Sequence, residues 1–221
     1  MRLRHARIEL ELHELSHRDG PALLLLHALG GSSADWAEAP ALWPGRVWAL
    51  DFSGHGRSEW VSGGAYLPEL LAGDADAALA QVGPAAIAGA GIGAYVALLL
   101  AGGRRDQITA ALLVPGRGLE GYGPQPDFDR SPTAYFAPAQ STSLPPGCDP
   151  FLRSLERDPR PPEYATHFAT AARRLVLLDD GGERPPWWEA ARRSPAAQSV
   201  TGDLRAAFAE LHRRSEGSPA P

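Results

Sequence analysis

Ile8, Leu10 and Leu12 alternate with Glu9, Glu11 and His13, the period-two pattern of a strand with one buried face. After the turn signal Asp19-Gly20-Pro21 the run Ala22-Leu23-Leu24-Leu25-Leu26 is apolar at every position and ends in His27. Such a run needs cover on both faces and predicts a central strand of a parallel sheet. Residues 46–51, 85–88, 108–114 and 175–178 read as further strands. Helical patterns fall between them at 67–79, 94–101 and 204–214, the last with Gly202 or Asp203 placed to cap it. Strands alternating with helices predict an α/β domain with a mostly parallel central sheet flanked by helices.

The alternation breaks after the fifth apolar strand. Residues 115–162 carry 11 of the 21 prolines and keep no period, yet they include Tyr122, Phe128, Tyr135, Phe136 and Phe151. Aromatic residues are scarce in true linkers, so the expectation is an irregular, proline-rich lid over 115–172 within one domain spanning 1–221. The tail 215–221 is expected to fray.

Composition narrows the chemistry. A net charge of −5 and a pI near 5.8 argue against a nucleic-acid or anionic-membrane partner. No apolar run approaches 18 residues and the first residues open no signal core, so the expected location is cytoplasmic. All 21 basic residues are arginine. Without a lysine amine, Schiff-base chemistry and a phosphate-binding P-loop are excluded. Cys148 is the only cysteine, and among the seven histidines only His13 and His17 have HxxxH spacing, with no HxH. No metal and no cofactor are expected.

Gly89-Ala90-Gly91-Ile92-Gly93-Ala94 sits between a strand and a helix and fits a dinucleotide fingerprint. The following strand ends Leu113-Val114-Pro115-Gly116, without the acidic residue that would hold the ribose, and two apolar strands precede the motif. A second reading uses more of the chain. Leu26-His27-Ala28-Leu29-Gly30-Gly31-Ser32, Asp51-Phe52-Ser53-Gly54-His55-Gly56 and Gly89-Ala90-Gly91-Ile92-Gly93 follow in that order. Together they resemble the α/β-hydrolase superfamily, in particular its small esterase, lactonase and MenH-like members. The resemblance implies an oxyanion loop after His27, a structural turn after Asp51 and a nucleophile elbow at 89–93.

The resemblance also shows what is missing. The elbow serine falls on Gly91, and no Ser, Cys or Asp lies between 83 and 103. The family acid aligns with Gly182 or Glu183, and the family histidine with Asp203. Triad hydrolysis is therefore not expected, because glycine cannot form an alkoxide. Backbone donors do not depend on side chains, so the resemblance assigns the oxyanion N–H groups to Leu29 and Ile92. Trp36, Trp43 and Trp60 are candidate pocket walls, with core packing as the alternative. Asp203 is a candidate general base if it faces a dry pocket, and otherwise a helix cap.

Three function classes remain open at this point. One is a non-hydrolytic small-molecule enzyme of cyclase, isomerase or lyase type, acting on a carbonyl-containing ligand through the retained N–H groups. Another is an inactive ligand-binding or scaffold pseudo-hydrolase. The last is an esterase with an atypical nucleophile.

Overall fold

A computed structural model describes residues 1–61, 66–119, 144–156 and 158–216. The strands are β1 (Arg2–His5), β2 (Ile8–His17), β3 (Leu23–Leu26), β4 (Arg46–Asp51), β5 (Ala85–Ala90), β6 (Ile108–Val114), β7 (Leu175–Asp179) and β8 (Ala197–Thr201). The helices are α1 (Pro68–Val82), α2 (Ile92–Gly103), α3 (Pro162–Ala171), α4 (Pro186–Arg192) and α5 (Leu204–Glu216). The strands form one sheet in the order β1-β2-β4-β3-β5-β6-β7-β8. β1 and β2 run antiparallel at one edge, and all pairings from β4 through β8 are parallel.

The all-leucine strand β3 explains the two-sided architecture. Leu24 and Leu26 join one core with residues of α1, α2, α3 and α4. Leu23 and Leu25 join the other, with Trp36, Trp43 and the Ala207-Phe208-Leu211 face of α5. Alternate side chains thus point into different cores, as the pleat requires, and all four are fully buried. α5 extends to Glu216, so Ser215 and Glu216 belong to it, where the sequence suggested a frayed tail. Of the expected lid, residues 120–143 and 157 lie outside the described residues, Tyr122, Phe128, Tyr135 and Phe136 among them. The tail from 217 onward does too.

Two histidines and two aspartates fix the loops that rise from β3 and β4. His27 Nδ1–H donates to Ala28 O (2.8 Å), and its Nε2 accepts from the Phe52 N–H (3.1 Å). His55 Nδ1–H donates to Ser53 O (3.2 Å), and its Nε2 accepts from the Gly30 N–H (3.1 Å). Both rings are fully buried and neutral, with both nitrogens spent on backbone. Asp51 accepts from the N–H groups of Ser33 (2.7 Å) and Arg57 (3.0 Å). Burial pushes its carboxyl up, but these donors and His13 outweigh that and hold it below the ordinary range. Asp74, buried on α1, accepts from the Ser53 N–H (3.0 Å) and hydroxyl (2.7 Å) and meets His5 Nδ1 at 2.7 Å.

The buried histidines make the fold acid-sensitive. Burial lowers the pKa of both; for His55, burial and then the neighbouring His27 take it from 6.5 to about 3. Between those limits the unfolded chain binds a proton that the folded chain refuses. Stability is therefore complete above pH 6.5 and falls as the pH drops towards 3. His5 acts in the opposite sense, its pKa raised by Asp74, but one half-exposed ring does not outweigh two buried ones. Urea unfolding at about pH 7.5 and about pH 5 should show a loss on the order of 2 kcal/mol from His55 alone. An unchanged midpoint would contradict neutral, buried rings.

Candidate functional site

The turn between β5 and α2 is strained and carries a glycine, Gly91, at its tightest point. Gly91 stands at φ 55° and ψ −118°, a combination that L side chains rarely adopt. Its N–H donates to Val114 O at 3.0 Å. Directly above it lies the segment Pro115-Gly116-Arg117-Gly118-Leu119, which leaves the end of β6 and folds back over the elbow. A Cβ on Gly91 would overlap the Arg117 carbonyl oxygen and stand 2.6 Å from Gly116 C. The space a serine would need is filled with main chain.

The same segment occupies the point on which the expected oxyanion donors converge. The Leu29 N–H and the Ile92 N–H each donate to Arg117 O at 3.1 Å. Two donors from loops after different strands thus meet one acceptor, and that acceptor belongs to the chain itself. Leu29 and Ile92 were expected to serve a substrate; here both N–H groups are spent on Arg117. Vacating that point would leave two buried donors unpaired, at about 1–3 kcal/mol each.

The segment is anchored on every side. The Arg117 guanidinium binds the buried Glu156 carboxylate through Nε (2.9 Å) and Nη2 (2.8 Å). The Leu119 N–H donates to Leu155 O at 2.7 Å, and Trp187 Nε1–H donates to Leu119 O at 2.9 Å. Leu119 is fully buried and holds φ 56°, costly for a β-carbon residue and maintained by these contacts. Gly118, at φ 105°, lies so close to Leu29 and Ile92 that a Cβ would stand 3.0 Å from the Cβ of each.

The remaining expected site residues do not gather at Gly91. Glu183 is exposed in the loop between β7 and α4. Asp203 is exposed, and its Oδ1 accepts from the Ala206 N–H at 2.9 Å, so it caps α5; the expectation of a base in a dry pocket is corrected to the capping alternative. Trp36 is a core residue, edge-on to Phe208 at 6.2 Å, and belongs to the core on the opposite side of the sheet from Leu29 and Ile92. That burial corrects its expected place in a substrate pocket. Trp43 is also core, donating to Pro21 O at 2.7 Å, whereas Trp60 is half exposed.

Cys148 sits close to the loop, with its thiol directed at Gly30 O (3.8 Å) and burial raising its pKa, which makes it a poor nucleophile. Among the described residues no cluster of His, Cys, Asp and Glu could hold a metal. No helix there is long and apolar enough to cross a membrane. A shallow cleft of about 270 Å³ opens instead beside Asp179, Arg184, Trp188 and Ser199 at the C-terminal ends of β7 and β8. The plug leaves little local signal in the sequence beyond the Gly-x-Gly of 116–118, one residue past the end of an apolar strand.

The mostly parallel sheet, its antiparallel β2 and the strained turn under two converging loop amides define an α/β-hydrolase architecture. The chain belongs to the alpha/beta hydrolase family, whose model matches residues 23–217. Solved structures share the fold at low identity. A hypothetical protein from Pseudomonas aeruginosa PAO1 is 21% identical with a TM-score of 0.66, the match covering 97% of this chain and 96% of that one. An N-acyl homoserine lactone degrading enzyme is 18% identical with a TM-score of 0.67, covering 98% and 96%. The bottromycin epimerase BotH, solved in complex with bottromycin A2, is 19% identical with a TM-score of 0.63, covering 98% and 95%. No curated protein matches the chain.

Two glycines separate backbone strain from the plug. Gly83 has φ 80° with nothing within 4 Å of an added Cβ, whereas Gly91 faces the plug's main chain. Gly83→Ala should cost about 1–3 kcal/mol of backbone strain, and Gly91→Ala, which adds overlap with main chain to strain, roughly 3 kcal/mol more. Chemical denaturation of the two variants checks this, and equal losses would mean the plug is not seated on Gly91.

Proposed function

We propose that this chain is a hydrolytically silent member of its family, a pseudo-hydrolase that works by binding rather than by acyl transfer. The reading rests on one observation: the Arg117 carbonyl takes both N–H groups that would stabilise an oxyanion. Acyl transfer needs a nucleophile and an empty set of donors where charge develops. Here the nucleophile position is glycine and the donors are engaged. The exposed positions of Glu183 and Asp203 support the same reading, since neither is held beside Gly91 as an acid or base.

The convergence of Leu29 and Ile92 favours one second reading, in which a carbonyl-containing small molecule replaces Arg117 O and is turned over without a covalent step. That one fold neighbour carries the name of an epimerase is consistent with it. The exchange gains little, because an incoming carbonyl must displace an equal acceptor and the Arg117–Glu156 ion pair that holds it.

Hydrolysis of p-nitrophenyl acetate and butyrate separates the silent reading from an esterase. Wild type and Gly91→Ser should both stay at the buffer rate, the variant because its hydroxyl has neither space nor donors. Turnover by wild type that disappears in Ser32→Ala, Ser33→Ala or Ser53→Ala would establish an atypical nucleophile and defeat the proposal.

A further inference from the structure

Two anchors of the plug sit on one short element. The 3-10 helix Pro150–Leu155 buries only Leu152 and Leu155, while Phe151, Arg153 and Ser154 are exposed. Its C-cap, Glu156, binds the Arg117 guanidinium, and the carbonyl of its last residue, Leu155, accepts the Leu119 N–H. The plug is thus gripped by one end of this helix.

The other end is fastened to the loop after β4. Asp149, the N-cap, is buried and accepts from the Phe151 N–H (3.0 Å) and from the Tyr66 hydroxyl (2.8 Å). Its own N–H donates to Gly54 O at 3.0 Å. Tyr66 is buried just before α1, and its hydroxyl oxygen accepts the Val61 N–H at 2.9 Å. A Cβ on Gly54 would stand 2.7 Å from that hydroxyl, so the ring is seated directly against main chain. Burial pushes the Tyr66 phenol above its ordinary pKa, which keeps it protonated as the donor to Asp149. Asp149 and Glu156 cap the two ends of one helix, and seven steps of about 2.0 Å place them about 14 Å apart. With two buried side chains of its own, the helix depends on its end bonds, and release of one end is felt at the other.

We propose that this helix is a strap controlling the amide pair of Leu29 and Ile92, with the Tyr66–Asp149 bond as its remote lock. While the lock is closed, Glu156 and Leu155 hold the plug on the amides. When it opens, the helix lifts as a unit and carries Arg117 O away, leaving two donors open to water or to a ligand oxygen. This regulation concerns the same plugged amides on which the silent reading rests, yet it holds whether or not the chain cleaves an ester. Ester hydrolysis and amide exchange therefore test the two separately.

Hydrogen exchange of the full chain, followed by NMR, tests the strap. The Leu29 and Ile92 amides should be protected but exchange faster than those of β3, because opening the strap does not require global unfolding. Tyr66→Phe removes a buried bond to a carboxylate and should speed exchange at both amides at least tenfold. Asp149→Asn, which keeps the size and the cap to Phe151, should speed it severalfold and serves if the phenylalanine variant misfolds. Trp43→Phe removes the bond to Pro21 O (2.7 Å) in the core on the other side of the sheet. It should speed exchange in β3 and leave Leu29 and Ile92 at the wild-type rate. Exchange at Leu29 and Ile92 that neither lock variant moves, or that Trp43→Phe raises as much, would overturn the assignment.

Discussion

The Arg117 carbonyl oxygen accepts the N–H groups of Leu29 and Ile92, and the distinctive features of this chain follow from that pair of bonds. In α/β-hydrolases that transfer acyl groups, a pair of loop amides waits unpaired for charge to develop. A buried donor kept waiting costs free energy, and only a catalytic return justifies it. Here both donors are satisfied within the folded chain. That pairing constrains everything around it. Gly91 cannot carry a side chain, Gly118 cannot either, and Leu119 must accept a left-handed backbone so that its carbonyl reaches the Trp187 indole. Glycine at 91 and the close approach of the Arg117 carbonyl are one steric fact viewed from two sides.

What surrounds the plug is retained because it shapes backbone. His27, His55, Asp51 and Asp74 bind main-chain groups of the loops after β3 and β4, and none of them needs a substrate to explain its burial. A dense set of buried polar groups, each satisfied, specifies one arrangement of those loops. The loop that bears Leu29 is thereby rigid, and its N–H is aimed at a fixed point whether a substrate or Arg117 occupies it.

The fold was legible in the sequence where hydrophobic periodicity was strong: 94–101 and 204–214 lie within α2 and α5, 67–79 lies within α1 but for its N-cap Leu67, and the apolar runs became β3 to β7. β1, β8, α3 and α4 were not read. β1 is short and charged, β8 is a half-exposed Gln-Ser-Thr edge, and α3 and α4 are brief helices that start at prolines, where periodicity has too few turns to register. At the site, the glycine in the turn after β5 and the two loops that carry Leu29 and Ile92 were readable, because they depend on motif position alone. The plug was not. Whether a five-residue segment after β6 turns outward or folds back on the elbow depends on Glu156, Leu155 and Trp187, contacts from distant parts of the chain that leave no local pattern.

The most direct measurement is of the two hydrogen bonds themselves. NMR scalar couplings transmitted across hydrogen bonds should connect the amide nitrogens of Leu29 and Ile92 to the carbonyl carbon of Arg117, and both amides should resist exchange with solvent. Amides of Leu29 and Ile92 that show no such coupling and exchange freely would mean that the donors stand open, and the central claim would fail.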